Sequence, residues 1–405
     1  RLERAVASLV ASHDALRRSY AGNGPSVRVD PSYCFETVDG DDEAVSRLGS
    51  GLHDRLDPAS GTLFAARLYR GSSADHVQLS VHHLAVDLVS WNALVSGLAR
   101  AYLTDGDPGG PGVSFGAWAA GLDRVFSGGE EGPAREYYRR LLQGCAAGGP
   151  RLQAGTWGSS RSVRFKIAPG SVERLRAAVA GARGLALRDV LAGAFMAAWA
   201  DWTGSARVAV DMEGHGRAPM DGLDPSGAVG WFTAIHPVAL DTDDCGDWNG
   251  LLSALADQFD AAPMGGHAWL ALLDRGHVEQ ASDVLFNYAG DLGASAVPHS
   301  QFTVAELDDG PRVDPERRRS HAVDVSLSTG PFGARGELRV PDSLPDDRVQ
   351  ALVEGWQKQL DDFLAWRDAG GQLSRELWTK RNLSRDDARS IKDALAAALG
   401  LGDLV

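Results

Sequence analysis

The chain has 405 residues, 44% hydrophobic and 23% charged, the balance of a globular protein long enough for two lobes and a sizeable core. A formal net charge of -14 sets its surface against nucleic acid and anionic membranes, and no apolar run is long enough to span a bilayer. Cys34, Cys145 and Cys245 lie far apart without paired spacing, which argues against a disulfide framework or zinc ribbon and fits a reducing cytoplasm.

Residues 1–20 open directly on helical spacing (Leu2, Ala5, Val6, Leu9, Val10, Leu16) with no cap before them, so a preceding piece of the domain is expected upstream. A helical patch follows at 43–56. Residues 57–69 read as a turn into a strand, paired as a hairpin with a period-2 strand at 76–81. Helical spacing resumes over 91–102. Residues 114–142 are helical with a break at 127–133, and the Gly-rich stretch 144–160 is the expected boundary between lobes. The second half begins with a strand at 162–167 and a helix from Ser171, a candidate N-cap. A helix at 185–202 has a broad apolar face. Strands are expected at 207–212, within 228–240 and at 284–289, with a pair at 317–328 and 333–340. Helices are expected at 247–259, 269–275, 346–366 and 384–399. Strand and helix alternate in both halves, so the class is α/β with two lobes, 1–155 and 156–405.

Two stretches stand at strand ends, where polar groups converge on ligands. In V-H-H-L-A-V-D-L-V-S-W, from Val81 to Trp91, neighbouring side chains point in different directions. His83 can then serve a cavity while His82 packs or orients it, and Asp87 can neutralise a buried cation or hold a turn. On spacing alone, a hydrogen-bonded core histidine is the better account of the pair. A metal would need further ligands in space, and none is expected. In E-G-H-G-R, from Glu213 to Arg217, Gly214 and Gly216 allow close approach of backbone or ligand. A carboxylate held partly desolvated there is usable as a general base near neutral pH. A tight turn carrying a surface Glu213 and a salt-bridging Arg217 reads the pentapeptide equally well.

Taken together and in order, H-H-L-A-V-D-L-V-S-W, D-M-E-G-H-G-R, V-G-W-F-T-A-I-H-P-V and F-N-Y-A-G-D resemble the signature set of nonribosomal peptide synthetase epimerization domains, with H-D-A-L-R at 13–17 and D-W-T-G at 201–204. These domains belong to the condensation-domain superfamily. The resemblance covers nearly the whole chain. It implies two chloramphenicol-acetyltransferase-like lobes in a V, with a tunnel between them. The implied substrate is an aminoacyl or peptidyl thioester on the 4'-phosphopantetheine of a carrier domain, inverted at Cα. No cofactor bound by the domain itself is implied. The implied partners are the upstream carrier and neighbouring synthetase domains, with the excised domain monomeric.

By that resemblance His83 and Glu213 are the catalytic pair, and His82, Asp87, Ser90, His215 and Arg217 support them. Trp231, Asn287 and Tyr288 line the substrate tunnel or the lobe junction. The sequence departs from the family at its start, at Pro263–Trp269, and at Ala218, Ala289 and Asp291, which bears on tunnel shape rather than on the reaction. The alternatives are an amide-forming condensation domain, which has no need of Glu213, and a non-catalytic member that docks carriers. Arg317–Arg319 is the candidate basic patch for the phosphate of the arm.

Overall fold

The computed structural model describes residues 1–22, 25–110, 112–145, 152–280, 282–291 and 313–374. The expected helix at 384–399 lies outside them.

Helix α1 (Leu2–Ser12) buries Leu2, Ala5, Val6, Leu9 and Val10 along one stripe, as its spacing dictates. It ends at Ser12, and the H-D-A-L-R run forms a separate 3-10 turn at Asp14–Arg17. Two short strands, β1 (Arg18–Ser19) and β2 (Ser26–Val27), pair with each other. The first main sheet has β3 (Cys34–Asp39), then, after α2 (Asp42–Leu48) and α3 (Ser50–His53), β4 (Phe64–Arg70) and β5 (His76–Val81), in the order β3-β4-β5. The expected hairpin is present, with Phe64 opposite Val81. Helix α4 (Leu88–Thr104) packs on α1 and shares its core with Leu63, Phe64 and Ala66. Next come α5 (Phe115–Val125) and α6 (Glu131–Leu141), separated by a kinked turn at Phe126–Glu130.

All strands of the second sheet follow residue 159. They are β6 (Ser160–Ile167), β7 (Arg207–Gly214), β8 (Ala234–Asp241), β9 (Val284–Asp291), β10 (Val323–Gly330) and β11 (Gly333–Pro341), in the order β6-β11-β10-β9-β7-β8. The sheet is mixed: β9 runs parallel to both β7 and β10, and the other pairs are antiparallel. Helices α7 (Pro169–Val179), α8 (Leu187–Thr203), α9 (Trp248–Ala261), α10 (His267–Asp274) and α11 (Asp346–Asp368) accompany it.

Helix α8 is the keystone of the larger core. Its spacing predicts one broad apolar face, yet every residue from Asp189 to Ala200 is buried, because α8 is enclosed by α9, α11 and the sheet. Phe195 meets Phe286 and Trp356 at ring distances of 5.5 and 5.2 Å. At Gly193 a methyl group would stand 2.6 Å from Leu251 of α9, so glycine sets the helix spacing there.

Two sequence readings are corrected and one is narrowed. Helix α7 starts at Pro169, not Ser171; the proline occupies the first turn, where its missing N–H costs nothing. The turn and strand expected within 228–240 resolve into a loop that holds Trp231 and Phe232 and a strand at Ala234–Asp241. Glu213 and Gly214 are the last residues of β7 rather than lying beyond it.

Candidate active site

At the end of β5 the His82 amide donates to the Leu63 carbonyl at 2.9 Å, which carries the hairpin ladder one residue past the strand. His82 Nδ1 then accepts the Leu84 amide at 3.2 Å and caps the 3-10 turn His83–Ala85. Burial pushes the pKa of His82 down, and its neighbours His83 and Arg317 add to this. His83 is left exposed, its ring edge-on to Trp231 at 4.9 Å between centroids. The two neighbours thus divide: His82 holds the turn and His83 is open to a ligand.

Asp87 is buried at the N-cap of α4 and is the hub of a latch between the two sheets' loops. Its Oδ1 accepts from the Ser90 amide at 2.8 Å and from Arg217 Nη2 at 2.7 Å; its Oδ2 accepts the Phe232 amide at 3.0 Å. The Ser90 hydroxyl lies 2.7 Å from Asp87 Oδ1 and accepts from the Gly230 amide at 3.2 Å. Arg217 donates through Nη1 to the Pro225 and Ala228 carbonyls and stacks over Phe232 at 4.2 Å. Behind it, Phe232 and Trp118 meet at 4.9 Å, and Trp118 meets His267 at 4.9 Å. Gly216 has a φ of 63°, and a methyl group there would collide with the Phe232 carbonyl. His215 is exposed, with Nδ1 accepting the Arg217 amide at 3.0 Å.

Glu213 stands at the C-terminal end of β7, paired with Ile235, four residues beyond Trp231. Val208, Val210 and Met212 face the core, so Asp211 and Glu213 face away from it. Burial pushes the Glu213 carboxyl up to about 7; the Asp324 carboxylate adds to the rise and His321 opposes it. Registers place Leu285 beside Asp211 and Asp324 beside Leu285, so Asn287 shares this face. Tyr288 does not. It points to the opposite face, packs against the larger core and bonds Thr329 through its hydroxyl at 2.9 Å. Its expected place beside Asn287 in the tunnel is corrected, since successive strand residues alternate.

The basic run is corrected too. Arg319 is buried and paired with Asp324 at 2.9 Å, and only Arg317 and Arg318 are exposed. Sequence reading gave no role to Asp14, whose carboxylate accepts from the Ser114 hydroxyl and the Phe115 and Gly116 amides at the start of α5. It also passed over Asp211 and His321; period-2 alternation places Asp211 on the face of Glu213. Among the described residues no three His, Cys, Asp or Glu side chains cluster to hold a metal, and no helix is long and apolar enough to cross a membrane.

Two sheets, joined at a latch with an open histidine and a raised carboxyl, define an α/β domain built around an inter-sheet junction. A family model described as Condensation domain matches residues 1–309, and the chain belongs to that family. It is 29% identical to surfactin synthase subunit 1 of Bacillus subtilis (strain 168) over 361 residues, which is 80% of this chain and 10% of that protein. It is 24% identical to bacitracin synthase 1 of Bacillus licheniformis over 365 residues, which is 84% of this chain and 7% of that protein. The chain thus spans a small fraction of the curated relatives it matches. The fold is similar to that of the epimerization domain from the third module of tyrocidine synthetase B (TM-score 0.78, 22% identity, 91% of this chain and 89% of that one). It is also similar to the condensation domain from Monacolin K polyketide synthase MokA (TM-score 0.72, 15% identity, 90% and 88%).

Proposed function

We propose that the chain is an epimerization domain of a nonribosomal peptide synthetase, with residues 1–155 and 156–405 as its two lobes and the substrate tunnel between them. It inverts Cα of an aminoacyl or peptidyl thioester carried on the phosphopantetheine arm of a partner carrier domain. The observation that carries this reading is Glu213, a carboxyl at a strand end raised to about 7. A Cα–H beside a thioester is a weak acid, so its removal needs a base poised near neutral pH and stabilisation of an enolate-like oxygen.

Glu213 takes the proton on one face. His83, open and braced by Trp231, returns a proton on the other face or polarises the thioester carbonyl. Asp87, Ser90 and Arg217 hold the junction, and His82 and His215 hold the turns that carry the two reacting groups. Asn287, on the face of Glu213, lines the path of the thioester. The domain supplies this chemistry from its own side chains, and the arm comes with the carrier.

The matching family model favours a second reading, amide formation between two carrier-bound substrates. That reaction uses the histidine motif and gives Glu213 no task. One assay separates them. A carrier loaded with an L-aminoacyl group is incubated with the domain, alone and with a donor-loaded carrier, and the released products are resolved by chiral chromatography. The epimerase reading predicts D product without a donor, lost at least 100-fold in Glu213→Gln and in His83→Ala. Amide product with no inversion would establish the condensation reading instead. Carrier binding with neither product would leave a docking module.

A further inference from the structure

Asp211, two residues before Glu213 and on the same face of β7, is fully buried. Its Oδ2 accepts from His321 Nε2 at 2.8 Å and from the Gln280 amide. Gln280 Nε2 also lies 2.7 Å from His321 Nε2, and His321 Nδ1 lies 2.9 Å from the Ser320 hydroxyl. His321 is 4% exposed. Nε2 of His321 has a single in-plane position, so it donates to Asp211 Oδ2 and its contact with Gln280 Nε2 lies between two donors; the Gln280 amide donates to Asp211 Oδ2 and to the Ser282 carbonyl at 3.4 Å. With Nδ1–H donated to the Ser320 hydroxyl, both ring nitrogens carry hydrogen and the Asp211–His321 pair is net neutral. Among the described residues Asp211 Oδ1 is buried without a hydrogen-bond partner, so Oδ2 takes the hydrogen bonds of this carboxyl.

The catalytic reading gives this pair no task, and stability does not require it: an apolar pair of similar volume would serve a core as well. Its position gives the reason. Among the described residues, ionisable groups reach this face of β7 from few directions; His236 of β8 and Tyr138 of α6 act on Asp211. On β10 there is Asp324, matched by Arg319. Just before β10 there is His321, matched to Asp211. β8 presents Ile235 opposite Glu213 and Pro237 opposite Asp211, and β9 presents Leu285 and Asn287, none of them ionisable. His215, past the strand, is exposed and bonded to backbone.

We infer that His321 is a positioning residue for Glu213: by neutralising Asp211 it spares the candidate base an uncompensated carboxylate on its own strand face. The inference rests on the epimerase reading for its meaning in catalysis, and the pairing itself is measurable without substrate. Without His321, Asp211 is a bare anion beside Glu213. The carboxyl of Glu213 then keeps its proton to higher pH, and less base is present at neutrality.

The experiment follows the Glu213 carboxyl directly, by ¹³C NMR of domain carrying side-chain-labelled glutamate, with the signal assigned by its loss in Glu213→Gln. In His321→Gln the titration midpoint moves up by about one pH unit. In Asp211→Asn/His321→Gln, where both charges are gone, it returns to the unmodified value. A residue that only holds the fold would leave the midpoint in place, and the double variant would be the worse damaged. Thermal melts confirm that each variant is folded, and His321→Asn replaces His321→Gln if that variant does not fold. An unmoved midpoint in the single variant, or no return in the double variant, overturns the inference. Cα exchange that survives Glu213→Gln overturns the catalytic reading instead, so the two failures are distinct.

Discussion

Glu213 carries a conflict between stability and chemistry. Its carboxyl is raised from an ordinary value of 4.5 to about 7, so the folded protein favours the protonated form. The stability tied to this group is fully present below pH 4.5 and is lost as pH rises through 7. About 2.5 units correspond to up to about 3 kcal/mol. Glu213→Gln removes that penalty. The variant is expected to be more stable than the unmodified domain at pH 8, by about 1–3 kcal/mol in urea unfolding, and indistinguishable from it near pH 4. Lower stability of Glu213→Gln at pH 8 would mean that the carboxylate is solvated rather than strained. At this scale the sequence was informative about identity and less so about orientation. The two glycines and the strand end left a desolvated Glu213 and a surface Glu213 equally open, and burial at the end of β7 is what separates them. The Asp211 partner His321 was not legible, because it lies 110 residues away and only strand order brings the two together. Tyr288 was misplaced for a local reason: beside Asn287 in a strand, it has to face the other way.

The latch at α4 shows how one element acquires two duties. Asp87 caps its own helix, as an aspartate three residues before a helical serine readily does, and the same oxygen takes the guanidinium of Arg217 from the other sheet's loop. Both side chains are almost wholly buried, at 3% and 4% exposed. Removing one leaves the other charged in a dry site, so Asp87→Ala is expected to cost about 3–5 kcal/mol. Asp87→Asn, which keeps an acceptor at the cap, is expected to cost less, about 1–3 kcal/mol. Chemical unfolding of the two variants checks the order, and near-neutral Asp87→Ala would show that the latch is solvated. Most elements were legible because their periods are strong: the β4–β5 hairpin, α8, α9 and α11 lie within a few residues of expectation. Within 228–240 the sequence predicts a turn and then a strand, but not that Trp231 and Phe232 belong to the turn. Phe232 packs on Phe115 and Trp118 and Trp231 meets His83 across the junction, contacts that no local pattern encodes.

At the scale of the molecule, the junction is what the two sheets exist to build. The expected boundary at 144–160 falls between the last strand of the first sheet and the first strand of the second. The packing is less tidy than a cut at that stretch. Helices α5 and α6 precede it, yet Phe126, Ala134 and Tyr138 share a core with Trp269 and Leu272 of α10. The chain thus sends helices from its first part onto the second. On the proposed reading, which residue or peptide is inverted depends on walls that no motif names, and the reaction itself depends on Glu213 and His83. The most direct test is hydrogen exchange at Cα. A carrier loaded with an L-aminoacyl thioester is mixed with the domain in deuterated water, and the released amino acid is weighed by mass spectrometry. The account predicts one deuterium at Cα with the unmodified domain and none above the carrier-alone rate with Glu213→Gln. Deuterium uptake that does not depend on Glu213, or no uptake with the unmodified domain, would contradict it.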